Sequence, residues 1–342
     1  MIKDPQKIVI SRTDSIGDVV LTLPLAGILK KRFPTAKIIF FGNTYTKPVI
    51  ACCEHVDEVW EWAKIAELSF EEQVNWLTEQ NIDTFLHIFP RKEIARLVKK
   101  SGIKNRIGTS HRMYHLLTCN YRPNFTRKKS DLHEAQLNTK LLAPFGIRSD
   151  YSLEQLYEHI GFSNFPTLPE SFATLLDPAK RNIVLHAKSQ GSAIEWGVKN
   201  FIELSKALDP EKFNIFFTGT EKESVFFRDQ LPDLTNVYDL SGKMTLDELI
   251  AFISKSDVLI AASTGPLHIA GISNINTFGL FSTKKPIHSG RWKPLGNRVS
   301  VFEDENFTDF TQPLSIPLRD ILRAVESTAR VSTISTSIGG KK

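Results

Sequence analysis

The sequence predicts an α/β protein made of two doubly wound domains that face each other across a cleft. Three observations carry this expectation. From Lys7 onward, short apolar runs alternate with helical patterns of ten or more residues, the signature of parallel βαβ units. A polar stretch over residues 161–180, with prolines close together, then interrupts the pattern. The alternation restarts at Asn182 and runs to about Phe281. The expected layout is a first domain over 1–160, a linker over 161–180, a second domain over 181–330 and a disordered tail over 331–342.

Each element follows from its residues. The apolar strand Lys7–Ser11 enters the turn Ser15-Ile16-Gly17-Asp18, and a helix from about Val19 to Arg32 ends at Phe33-Pro34. Strand Lys37–Phe41 runs into Gly42-Asn43, and a short strand lies near Val56–Trp60. Helix Phe70–Glu79, strand Thr84–Ile88, helix Lys92–Lys100 and a strand near Arg106–Gly108 come next. Leu137, Leu141 and Leu142 give His133–Pro144 a helical spacing. In the second domain the strands are Asn182–His186, Asn214–Thr218, Asn236–Asp239, Val258–Ala261 and Asn276–Phe281. Helices Val198–Leu208, Glu223–Gln230, Leu246–Ser254 and one starting at Leu267 separate them. The acidic run Glu303-Asp304-Glu305 reads as a surface turn. No repeat period is present, which excludes solenoids.

Composition narrows the class. The 342 residues, 41% of them hydrophobic, describe a soluble protein with enough apolar mass for two cores. No apolar run approaches the roughly 20 residues that span a bilayer. The start of the chain leads straight into a strand without a signal-peptide pattern, and the three cysteines show no metal spacing. A reducing cytoplasm is the expected compartment. The net charge of +5 is unevenly spread: between Arg91 and Lys129, twelve Lys or Arg face the single acid Glu93. Such a run is either a solvated face or a docking surface for an anionic partner. Nucleic acid is not expected, because no stacking aromatics or recognition motif accompany the charge.

Four loops at strand ends hold the candidate chemistry, since open α/β sheets bind ligands at that edge. The first places Asp18 beside Ser15 and Gly17 and lacks both G-x-G-x-x-G and G-K-[ST], so it offers a base rather than a phosphate cradle. The plain alternative is Asp18 as N-cap of the following helix. In the second domain, Ser263-Thr264-Gly265-Pro266 opens a helix whose free N–H groups suit an anion, with His268 one turn on. An ordinary cap and a packed histidine fit this segment equally well. Gly242-Lys243 precedes a capping box of Thr245 and Glu248. The loop His186–Trp196 contributes Lys188, Ser189 and Gly191. Together the three second-domain loops favour a phosphorylated ligand.

The run R-x-D-x-I-G-D-V-V-L-T-L-P from Arg12, the following F-P-x-A-x-I, His133-Glu134 before a Leu-rich helix, and Ser-Thr-Gly-Pro-Leu-His-Ile-Ala from Ser263 resemble glycosyltransferase family 9. These are the ADP-heptose–lipopolysaccharide heptosyltransferases, and the resemblance runs to about residue 325. It implies a GT-B fold of two Rossmann-like domains, with the acceptor in the first and the nucleotide sugar in the second. The implied reaction is inverting, metal-independent sugar transfer from an ADP-heptose or related donor, with Asp18 as general base and no cofactor. Lys188, Ser189, Gly242, Lys243, Glu248, Ser263, Thr264, Gly265, Pro266 and His268 are then the donor contacts. Ser15, Gly17, Arg91, Arg106, Lys128 and Lys129 are the acceptor contacts. The implied acceptor is an anionic lipopolysaccharide core, met in peripheral contact with the inner membrane surface. Two departures stand out: Ser263 replaces the family's Asp, and Ile194 stands where a Lys is usual, with Lys188 a candidate substitute. A nucleotide-sugar epimerase and a non-catalytic sugar-nucleotide-binding scaffold are the alternatives.

Overall fold

The computed structural model describes residues 1–328; the tail expected over 331–342 lies outside the described residues. Two parallel sheets form. The first comprises β1 (Lys7–Ser11), β2 (Lys37–Gly42), β3 (Glu58–Glu61), β4 (Thr84–His87) and β5 (Asn105–Ile107), in the order β3-β2-β1-β4-β5. The second comprises β6 (Arg181–His186), β7 (Phe213–Thr218), β8 (Val237–Asp239), β9 (Val258–Ala262), β10 (Asn276–Ser282) and β11 (Val299–Asp304), in the order β11-β10-β9-β6-β7-β8. The central strands are apolar because helices cover both faces of a parallel sheet: β7 is buried along its whole length, and β1 along all but its first residue.

Strand order reverses twice, between β1 and β4 in the first sheet and between β6 and β9 in the second. Loops leaving neighbouring strands at such a point diverge to opposite faces and open a crevice. The segment after β1 leads to Asp18, in the first turn of the next helix, and the segment after β9 carries Thr264, so both sit at a switch point.

The helix expected over 19–32 is two helices, Ile16–Val20 and Pro24–Arg32. Pro24 has no N–H to continue the ladder, and Asn138 Nδ2 binds the break, donating to the Leu21 carbonyl at 3.1 Å and to Thr22 Oγ1 at 3.2 Å. Likewise, 133–144 resolves into helix Glu134–Thr139 and a 3-10 turn Lys140–Phe145 that contains Pro144. Glu303 and Asp304 belong to β11, not to a surface turn. Asp304 is buried, and its carboxylate accepts from the backbone N–H of Asn306 and of Ser315 at 3.1 and 2.7 Å. Residues 161–180 lie against the core: Phe162, Phe172, Leu175 and Leu176 pack on it, and Glu170–Ala173 is a helical turn.

One apolar cluster runs through both halves, from Ile8 and Val19 to Ile250 and Leu267. Helix Ile16–Val20 abuts helix Gly265–Ile272 directly. The approach needs a glycine: a Cβ on Gly17 would lie 2.7 Å from His268 Cδ2. This contact brings the Asp18 helix and the His268 helix to one place.

Candidate active site

On the first sheet's side the site is a network of buried charges. Arg12, 3% exposed, leaves the end of β1 and meets three carboxylates. It donates through Nε to Asp14 at 2.7 Å, through Nη1 to Glu134 at 3.0 Å, and through Nη2 to Asp18. Burial pushes the Arg12 pKa down, but the carboxylates of Asp18, Asp14 and Glu134 outweigh it and raise the value, so the group is a fixed cation. Glu134 is fully buried and also accepts from Arg127 Nε at 2.8 Å and from Arg291 Nη2 at 2.6 Å. Burial alone would raise its pKa, yet Arg12, Arg127 and Arg291 hold it down at about 2. Asp14 behaves oppositely: burial, joined by repulsion from Asp18, overcomes Arg12 and pushes it up to about 6.

Asp18 is the third residue of its helix, and the cap position belongs to Ser15. Ser15 makes no capping bond; its hydroxyl donates to Asp18 Oδ2 at 2.5 Å. A pure capping role for Asp18 therefore does not describe this turn. Its carboxylate is held by Arg12 and Ser15 while 17% of the side chain stays accessible.

The second sheet's side is neutral. Thr264 is the N-cap of helix Gly265–Ile272, yet its side chain caps nothing, and Oγ1 is buried without a partner. His268 is 3% exposed and its Nδ1 is also unpartnered. Burial, reinforced by nearby His133, lowers the His268 pKa to about 3, so the ring is neutral near pH 7. His133 is held at about 4, first by burial. The Ala135 N–H donates to His133 Nδ1 at 3.2 Å, which places the ring proton on Nε2, 2.8 Å from the Lys293 carbonyl. Two cleanly buried polar atoms without partners are unusual in a finished core. Here they line a cavity.

That cavity, about 740 Å³, lies between the two sheets. Of the residues expected from the sequence it brings together Ser15, Gly17, Asp18, Lys128, Ser263, Thr264, Gly265 and His268. Pro266 is buried in the first turn of the His268 helix. The remaining expected residues stand apart from the cavity wall. Lys188 pairs with Glu195 at 2.5 Å and lies 4.7 Å from the Phe226 ring centroid. Ser189 donates from N and Oγ to the same Glu195. Glu248 closes the Thr245 capping box. Gly242 takes a left-handed φ of 73°, which a side chain would strain, and Lys243 is exposed. Arg91 pairs with Glu93 at 3.1 Å, Arg106 is spent on the Thr118 carbonyl at 2.8 Å, and Lys129 is exposed.

The cavity also contains Thr109, His111 and Phe125, to which sequence reasoning gave no site role, together with Arg112 and Arg127 of the basic run and Arg291. Arg291 crosses from the second half of the chain, donating to the Arg127 carbonyl at 2.7 Å as well as to Glu134. Its neighbour Trp292 also lines the cavity. Among the described residues no group of three or more His, Cys, Asp or Glu is arranged to hold a metal ion, and no helix is long and apolar enough to cross a membrane.

The geometry has counterparts among known proteins. A lipopolysaccharide heptosyltransferase 3 of Escherichia coli is 23% identical, with 94% of this chain and 99% of that protein covered. In fold, a family 9 glycosyltransferase from Veillonella parvula superposes with a TM-score of 0.75 at 16% identity, covering 95% of this chain and 97% of that one. The E. coli ADP-heptose lipopolysaccharide heptosyltransferase II gives 0.72 at 17% identity, over 94% and 97%. These likenesses establish the GT-B type architecture. Residues 75–315 match the model of glycosyltransferase family 9 (heptosyltransferase), and the chain belongs to that family of glycosyltransferases.

Proposed function

We propose that this glycosyltransferase moves a heptose, or a closely related sugar, from an ADP-sugar to a hydroxyl of a lipopolysaccharide core, with inversion and without a metal. The observation that carries the reading is the meeting of Asp18 with Thr264 and His268 around one cavity. Family relatives supply the substrate class: one is named a lipopolysaccharide heptosyltransferase, and E. coli heptosyltransferase structures contain ADP and ADP-2-deoxy-2-fluoro heptose.

The acceptor oxygen attacks the anomeric carbon as the bond from that carbon to the diphosphate oxygen breaks. Asp18 takes the hydroxyl proton, a contribution of roughly 10²–10⁴ in rate for a well-placed base. Arg12 orients Asp18 while dividing its charge among three carboxylates, so the base is fixed without being consumed by one ion pair. Negative charge grows on the leaving diphosphate. The Gly265 N–H, the Thr264 hydroxyl and a neutral His268 receive it by donating hydrogen bonds. Arg127, Lys128 and Arg112 on the opposite wall hold the anionic acceptor. The protein acts in the cytoplasm at the inner face of the membrane, where such an acceptor is presented.

The test is ADP release from ADP-heptose in EDTA, with a deacylated core oligosaccharide as acceptor and mass spectrometry of the product. Wild type should release ADP only when acceptor is present and should yield a heptosylated core. Selective UDP or GDP binding would overturn the donor assignment. Nucleotide binding without transfer, matched by Asp18→Asn, would favour the scaffold reading.

A further inference from the structure

Away from the cavity, the first half of the chain exposes apolar side chains beside unpaired cations. Helix Met113–Thr118 is short, and it buries His115 and Thr118 while presenting Met113, Leu116 and Leu117 to solvent at 86%, 56% and 75% exposure. It packs on helix Lys92–Lys100, whose Lys92, Arg96, Lys99 and Lys100 are exposed. None of these four cations has an ion-pair or hydrogen-bond partner among the described residues, because the nearby acid Glu93 is taken by Arg91. Between the two helices lies a groove of about 680 Å³ lined by those cations together with Phe70, Tyr114 and Leu117. A groove lined by exposed cations and by apolar and aromatic side chains is matched to a surface that is anionic outside and hydrocarbon within.

We propose that this groove and the Met113–Leu117 face form a docking site for an anionic lipid bilayer. Met113 and Leu117 enter the acyl region, and Lys92, Arg96, Lys99 and Lys100 take the phosphate headgroups. The inference rests on the acceptor being a glycolipid for its purpose, but not for its test. Position supports it. Residues 109–112, which immediately precede this helix, include the cavity-lining Thr109, His111 and Arg112, so the docked face continues along the chain into the wall of the reaction cleft. A sugar head anchored in the same bilayer would reach the cleft without leaving the surface. An exposed apolar face without such flanking charge would fit a protein partner; four unpaired cations select an anionic one.

The experiment is cosedimentation of the full chain with vesicles of phosphatidylglycerol and phosphatidylethanolamine, and with vesicles of phosphatidylcholine alone. These vesicles carry no sugar acceptor, so the result is independent of the transfer reaction. Wild type should bind the anionic vesicles and not the neutral ones, with binding weakened by added salt. Lys99→Gln/Lys100→Gln should lower partitioning roughly 25-fold, about five-fold per charge. Met113→Ser/Leu117→Ser should lower it at least ten-fold and leave the salt dependence of the remainder unchanged. All four residues are exposed, so both variants should fold and should use a deacylated acceptor at the wild-type rate. Equal partitioning of wild type and variants, or equal binding to neutral vesicles, overturns the proposal. So does a Leu117-dependent dimer in sedimentation velocity, which would make the occupant a second copy. Vesicle binding that behaves as expected in a protein without transferase activity would overturn the proposed reaction and leave the surface standing.

Discussion

The two walls of the cavity solve opposite problems. The wall built from the first sheet is charged and its ions are paired: Arg12, Arg127, Glu134 and Asp14 neutralise one another, and Arg291 joins from across the cleft, although Thr13 Oγ1 and Arg291 Nε stay buried without partners. The wall built from the second sheet is neutral and unsatisfied, with Thr264 Oγ1 and His268 Nδ1 buried without partners. A proton-abstracting carboxylate has to be held in place before substrate arrives, which favours a preformed ionic frame. A site for a ligand that brings its own charge does better with donors left open, since prior ion pairs would have to be broken on binding. The difference teaches that a paired ionic frame and a set of open neutral donors suit the two roles proposed for the walls.

The largest expected effect tests the acting wall. Asp18→Asn keeps the size and the Ser15 contact but removes the proposed base. Turnover should fall by roughly 10²–10⁴, while the melting temperature and ADP affinity change little. Near-normal turnover would reassign the base.

Glu134→Gln sharpens the contrast next. It leaves Arg12, Arg127 and Arg291 converging on a neutral amide in a buried site. Breaking a buried ionic set by removing one partner costs about 3–5 kcal/mol, readable as a lower urea midpoint at constant slope. A loss below about 1 kcal/mol would mean that the arginines find other partners and that the frame is not the source of rigidity.

How much of this was legible in the sequence follows from the range of the forces involved. Strand Lys7–Ser11, helix Phe70–Glu79 and helix Lys92–Lys100 emerge at their expected places because local periodicity sets them. Strand β11 was masked by its acidic end; Asp304 looks like a turn residue until its two backbone donors, Asn306 and Ser315, are seen folding back onto it. Asp18, Thr264 and His268 could be singled out because each follows closely on the end of a strand and is of a residue type that suits chemistry. The contact between Glu134 and Arg291 was not legible: the two are 157 residues apart. Arg12 stood inside a recognisable run, but only the fold shows that it joins Asp14, Asp18 and Glu134. Lys188 looked like a free cation in a polar loop, and the fold gives it Glu195.

Acid separates His268 of the second wall from Glu134 of the first. His268 has a folded pKa of about 3, below its ordinary 6.5, so the unfolded chain binds the extra proton. Its contribution to stability is complete above pH 6.5 and is lost as pH falls from there toward 3. Glu134, at about 2 against an ordinary 4.5, contributes fully above pH 4.5 and loses that contribution as pH falls toward 2. His268→Asn should therefore flatten the stability curve between pH 6.5 and 4.5, by up to about 1.4 kcal/mol per pH unit. Glu134→Gln should alter the slope only below that window. Urea unfolding at half-unit pH intervals checks both, and a shared window would remove the distinction between the walls.

The smallest effect carries the most pointed sign. Thr264→Val keeps the branched shape and removes a hydroxyl that is buried with nothing to bond. An unmade buried hydrogen bond is a cost to the empty protein, so the variant should gain stability by about 1 kcal/mol. The same hydroxyl is expected to donate to donor phosphate, so ADP affinity should fall by roughly five-fold, the worth of about 1 kcal/mol. Thermal unfolding and calorimetric titration should thus move in opposite directions in one variant. If both fall, Thr264 has a structural role in the turn; if affinity holds while stability rises, the phosphate lies elsewhere and Ser263 or the Gly265 amide becomes the contact to examine. Only a site strained while empty and relieved when filled gives the crossed result, and that trait is what separates the second wall from the first.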